Sequence, residues 1–196
     1  MSRVLSVLLA LMAVGWTQPA TAEPAAQAAF RAVLVKFDQR ADAETDIGRL
    51  RTFAAERAGE LAQVLGQGLG FAGWDLILSA AEATPMGGIF LRLHDDTLSA
   101  PRSVRPTYWN SGPGAIMRQA EITPKSPLHR PLALLKRGTL VVVSGSFFAG
   151  DNGGPFYESA RISFQDLEIE RARFRMPYFS IRIEEIREVF PERRFP

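Results

Sequence analysis

The residues in this chain whose types suit chemistry fall into a few short runs. His94-Asp95-Asp96 sets an imidazole beside two carboxylates, the pairing a general acid or base uses when a carboxylate orients the ring and a nucleophile is in reach. A metal site needs further ligands, and His129 is the only other imidazole. Strand side chains alternate between faces, so His94 and Asp95 point apart unless the strand has ended; the competing reading is a polar strand end entering a turn. Ser144-Gly145-Ser146 invites a hydrolase reading, yet no Gly-x-Ser-x-Gly elbow occurs and the serines lie inside an apolar run. Gly145 there reads as a bulge or bend. Gly68-x-Gly70-x-x-Gly73 has the letters of a dinucleotide fingerprint, but that motif needs a strand before it and a helix after it. Here the order is reversed, which makes it a flexible connection. Asp151-Asn152-Gly153-Gly154 reads as a turn, lacking the alternating acids of a calcium loop. No run selects a cofactor or a metal ion.

The strongest remaining signal is charge. The whole chain carries a net +2, but Glu23 to Asp96 has a net of −4, while Thr97 to Gly138 sets seven basic residues against the single Glu121. Clustered cations attract polyanions over about a Debye length, roughly 10 Å. The segment holds Arg102, Arg105, Arg118, Lys125, His129, Arg130, Lys136 and Arg137, with Tyr108 and Trp109 between them as rings able to stack on bases or sugars. Arg102, Arg105, Tyr108, Trp109, Arg118 and Arg130 are the candidate partner-binding set. The alternative is a solvated loop whose arginine stems cover apolar surface and whose charges answer the acids upstream.

Composition narrows the classes further. The chain has 196 residues with 46% hydrophobic and 22% charged residues and 13 Phe, enough for one domain with a real core. It has no cysteine, which excludes disulfides, thiolate metal sites, a cysteine nucleophile and a lipid-modified amino-terminal cysteine. Met1 to Ala22 has the order of an export signal: Arg3, an apolar run from Val4 to Trp16, then small residues at Ala20 and Ala22. Cleavage is expected after Ala22, giving a periplasmic or secreted protein, with an uncleaved anchor as the alternative. No later segment approaches the roughly 18 to 20 apolar residues that spanning requires, so no transmembrane span is expected in the mature chain.

These residues must be positioned by elements that the pattern also predicts. Phe30, Val33, Leu34 and Phe37 mark a first amphipathic helix over Ala25 to Phe37, and Ile47, Leu50, Ala54, Ala58, Leu61 and Leu65 a second, capped by Thr45 or Asp46 and stopped at Gly66. From Phe71 onward short apolar runs alternate with turn residues. Trp74 to Ala83 and Gly88 to Leu93 form a hairpin around Thr84-Pro85-Met86-Gly87. A long loop over Ser99 to Ser126 carries one strand near Thr107 to Trp109, followed by a short helix over Leu128 to Lys136 and a valine-rich strand over Leu140 to Phe148. Arg161 to Ile169 and Tyr178 to Phe190 alternate as strands, the second with a phase slip between Ile183 and Ile186.

The expected fold class is α+β: a small antiparallel barrel of the oligonucleotide/oligosaccharide-binding (OB) kind preceded by two amphipathic helices. The divisions are a signal peptide (1–22), a helical lead-in (23–70) and the barrel (71–196). Ser126-Pro127-Leu128, Leu132, Leu135, Gly138, Val141 and Ser144-Gly145-Ser146-Phe147-Phe148, with Glu158-Ser159 and Pro177-Tyr178-Phe179 through Ile186, resemble exported bacterial OB-like proteins with a helical lead-in. The similarity covers about Phe30 to Val189. It implies a fold and an exported setting, and brings no reaction or catalytic residues with it. The functional expectation is a non-enzymatic module that binds a protein or an anionic polymer through the basic loop, with nucleic acid ranked behind these. The alternatives are a periplasmic hydrolase using His94 and Asp96, and an assembly subunit docking through its helices.

Overall fold

The computed structural model describes residues 24–95, 104–112, 119–150, 154–158 and 166–189. The expected signal segment and the turn residues Asp151 to Gly153 lie outside them. The chain opens with α1 (Ala25–Asp42) and α2 (Ile47–Leu65), continues through β1 (Gly70–Ala83), β2 (Ile89–His94), β3 (Thr107–Trp109), a one-turn helix α3 (His129–Leu132) and β4 (Leu140–Phe147), and ends with α4 (Leu167–Arg175) and β5 (Tyr178–Glu188). The strands close into a barrel in the order β1-β2-β3-β5-β4. All neighbours are antiparallel except β3 and β5, which run parallel. The α+β arrangement is therefore the expected one, and its sheet is mixed.

Local chemistry accounts for the elements. Asp46 caps α2 by accepting from the Arg49 N–H at 2.8 Å, and Gly66 closes it at φ 70°, a left-handed conformation suited to glycine. Strand β4 alternates strictly between partly buried and buried residues, as a strand with one face on a core must. Barrel closure over so few strands needs sharp coiling, which the register shifts supply. Gly73, at φ 70°, lies in the shift between Phe71 and Trp74, and its N–H donates to Ser144 Oγ at 3.1 Å. The glycine run Gly68 to Gly73 thus connects a helix to a bulged strand, and the Ser144 hydroxyl serves that bulge. A second shift falls between Ser144 and Gly145, where Glu184 is passed over as β5 runs from Ile183 to Glu185. The phase slip in the β5 sequence is this bulge.

One element differs from expectation. The strand expected over Arg161 to Ile169, and the hairpin it implied, give way to the helix α4 over the described part of that stretch; 161–165 lie outside the described residues. Asp166 caps α4 through the N–H groups of Glu168 and Ile169, with acids in the first turn and arginines in the last. Those terminal signals outweigh the short alternation of apolar residues.

Two cores result. Trp74, Leu76, Leu91, Tyr108, Val141, Phe147, Phe179 and Ile181 fill the barrel. Phe30 of α1 packs among them, with ring centroids 5.0 Å from Trp74, 5.4 Å from Phe147 and 5.6 Å from Phe179, so α1 closes the mouth where β2 ends and β3 begins. Leu132 of α3 joins the same core. Phe37, Ala41, Leu50, Phe53 and Phe174 form a second core between α1, α2 and α4.

Candidate partner-binding surface

Strand β3 is where the sequence-derived set divides. Its three residues pair with β2 on one side and β5 on the other, Tyr108 opposite Leu93 and Phe179 and Trp109 opposite Arg92 and Ser180. Alternation sends Tyr108 inward, where it is fully buried and packs on Trp74 and Phe179. Its ring is core and offers no face to a ligand. Burial, and secondarily the nearby Asp95 charge, push its phenol well above the usual range. Trp109 points outward and is half-buried; the Arg92 guanidinium lies 5.0 Å above its ring and also reaches Glu82 at 3.4 Å.

The basic residues do not form one surface. Arg105 is exposed where β3 begins, its N–H donating to the Arg175 carbonyl at the end of α4. Arg130 is exposed on α3, at the opposite end of the barrel, because the preceding His129 lies with Nε2 2.9 Å from the Gly87 carbonyl in the β1–β2 turn. The six residues of β2 separate these ends, about 20 Å at the rise of a strand. Arg102 and Arg118 lie outside the described residues.

The α3 end is the coherent half. Pro131 sits within the first turn of α3, where its missing N–H costs no helical hydrogen bond, and Leu132 anchors the turn in the core. Around it Lys125, Arg130, Lys136 and Arg137 are all exposed, and none pairs with an acid among the described residues. No acid occurs anywhere from Ile122 to Gly150. Glu121 is bound by the Thr84 hydroxyl at 2.6 Å. Glu185 and Glu188 of β5, opposite Ser144 and Val141, bound this surface on one side.

The His94 cluster is arranged differently. His94 is partly exposed at the end of β2, opposite Thr107 and Ile77. Asp95 is buried and held by Arg31 and Gln27 of α1, and Asp96 lies outside the described residues. Among the described residues no group of three His, Cys, Asp or Glu could hold a metal ion.

The sequence reading missed the buried charges. Arg57, which falls between the apolar positions of α2, is 1% exposed, with both Glu158 oxygens within 2.7 Å of Nη2 and its guanidinium 4.7 Å above the Phe174 ring. The signal was present, since Leu50, Phe53, Arg57 and Leu61 follow one another at helical steps and the stripe is buried at every one of them. On α1, Gln27, Arg31 and Asp38 recur at steps of four and seven beside the apolar stripe, and all three are buried. Gln27, Arg31 and Arg57 tie the helices to the barrel strands and loops, and Asp38 faces Arg175 of α4, rather than facing a partner. Compared with known proteins, the chain matches no family model, no curated protein and no solved structure.

Proposed function

We propose that the chain is an exported, non-enzymatic binding module of OB-like architecture that engages an anionic partner, protein or polymer, through the cationic α3 end of its barrel. The strand order, the parallel β3–β5 pair and a helix between β3 and β4 are compatible with an OB-like barrel. One observation carries the functional reading: Lys125, Arg130, Lys136 and Arg137 stand exposed on a stretch without acids, with no ion pair to a described residue. Surface cations that serve only solubility are usually interspersed with acids, so four cations with no ion pair among the described residues support a polyanion-binding role.

The test is retention on heparin, a soluble sulfated polymer, as salt is raised. Affinity falls steeply with salt, and Arg130→Glu with Lys136→Glu weakens binding by tenfold or more while lowering the salt slope by about two. Arg102→Glu with Arg105→Glu asks whether the first half of the basic segment contributes; Arg105, at the far end, predicts the smaller effect. Salt-insensitive retention, or no response to the α3-end pair, rejects the proposal.

A further inference from the structure

We infer that the α3 end of the barrel docks on an anionic lipid surface, with Met86 and Leu134 entering the acyl boundary while the surrounding cations meet the phosphates. This rests on the cationic end being a binding surface, and adds what it binds.

Among the described residues the two most exposed large hydrophobic side chains are Met86, 84% exposed, and Leu134, 77%. Scattered exposed apolar residues are ordinary, but these two share one end of the molecule. Met86 sits in the β1–β2 turn and Leu134 directly after α3. The turn is clamped to the α3 segment by His129 on the Gly87 carbonyl and by Thr84, whose hydroxyl bonds both Glu121 and the Gly88 N–H. Ile89 and Ile122 exchange both backbone hydrogen bonds beside it. Both apolar tips therefore lie on segments joined by these bonds, in the same group of elements as Lys125, Arg130, Lys136 and Arg137.

Apolar tips beside a lysine- and arginine-bearing segment match the bilayer interface, where a few inserted side chains and contacts to anionic headgroups add together. Long basic side chains reach the phosphates while their stems lie along the acyl boundary. Charge complementarity selects an anionic leaflet over a zwitterionic one. Two projecting side chains are too little for a stable protein interface, which needs about 800 Å² from each partner, whereas a membrane surface accepts isolated anchors. No helix among the described residues is long and apolar enough to span a bilayer.

The experiment is cosedimentation of the purified chain, in the form the cell leaves it, with phosphatidylcholine vesicles and with the same vesicles containing phosphatidylglycerol. The run Val4 to Trp16, if retained, enters any bilayer, so the readout is the ratio of anionic to zwitterionic binding. Binding to the anionic vesicles is expected to fall about tenfold in Met86→Ser with Leu134→Ser, with heparin retention unchanged, and the ratio to collapse in Arg130→Glu with Lys136→Glu. Leu134→Trp, whose indole favours the interface, is expected to tighten vesicle binding with a blue-shifted emission, independently of the serine pair. Vesicle binding that ignores Met86 and Leu134, or its absence while heparin still binds through the cations, overturns the lipid assignment and leaves a soluble polymer or acidic protein as partner. Loss of the charge dependence with both probes overturns this inference and the functional proposal together.

Discussion

Arg31 on α1 grips Asp95 at the end of β2 through both guanidinium edge nitrogens, Nη2 to Oδ1 at 2.7 Å, with 8% of one side chain and none of the other exposed. The pair joins the helical lead-in to the barrel across 64 residues of sequence. Asp95→Ala takes the bidentate carboxylate from the Arg31 guanidinium in a water-poor seam and is expected to cost about 3–5 kcal/mol by urea denaturation. Arg31→Met with Asp95→Leu removes both charges and should recover most of that loss. Equal destabilisation by the single and the double variant would show that packing, not charge, dominates the seam.

Asn110 replaces a missing stretch of ladder after β3. Its Oδ1 accepts from the Leu91 N–H, and Nδ2 donates to the Ala120 carbonyl at 2.9 Å and to the Ile89 carbonyl at 3.3 Å, all buried. Asn110→Ala takes the partner from the Leu91 N–H and the Ala120 carbonyl, while the Ile89 carbonyl keeps the Ile122 N–H, and is expected to cost about 2–4 kcal/mol. Asn110→Asp keeps the acceptor but turns the donor into a second oxygen facing two carbonyls, so it should be no milder at neutral pH and should recover as the carboxyl protonates on acidification. Denaturation midpoints across pH separate the two.

Gly145 sits at the β4–β5 bulge, paired with Ile183. A Cβ there would fall 2.0 Å from the Arg182 carbonyl oxygen, a backbone atom that cannot turn aside. Gly145→Ala must push the strands apart at the bulge and is expected to lose about 3 kcal/mol or more. Hydrogen exchange at the β4–β5 ladder is the direct readout, and unchanged protection would contradict the close approach.

Tyr108 carries a buried hydroxyl with no hydrogen-bond partner among the described residues. Tyr108→Phe removes an unsatisfied polar atom, so stability should change by less than about 1 kcal/mol in either direction. Because burial raises the phenol above its ordinary value, the folded state binds its proton more tightly than the unfolded state. The stability this contributes is complete below the unfolded pKa, about 10, and is lost as pH rises beyond it. Phenolate absorbance from Tyr108 should therefore appear only with unfolding, and Tyr108→Phe should delete that phase. A reversible Tyr108 ionisation in the folded protein would contradict its burial.

Much of the scaffold was legible because its signals are local. The helical steps from Phe30 to Phe37, the Asp46 cap, the Gly66 stop and the turn at Thr84 to Gly87 each act within a few residues. Even the slip between Ile183 and Ile186 recorded a bulge, since an extra residue in a strand must invert the inside–outside phase of everything after it. The stretch Arg161 to Ile169 reads as a strand only because Ile162 with Phe164 and Leu167 with Ile169 each alternate for one step, in opposite phases, too briefly to settle the period; the deciding information lies in Asp166 and the charge gradient behind it.

The candidate site was legible only as composition. That Thr97 to Gly138 is basic follows from the letters; that Arg105 and Arg130 stand at opposite ends, that Tyr108 faces inward and Trp109 outward, and that Met86 shares an end with Leu134 do not. Local spacing determines which residues lie on one side of a helix or strand, because the backbone period is a property of neighbouring peptide units. Which side is buried, and which distant segments meet, was decided only when five strands closed on one another and α1 seated Phe30 in their mouth, since burial belongs to the assembled layers and not to any one of them.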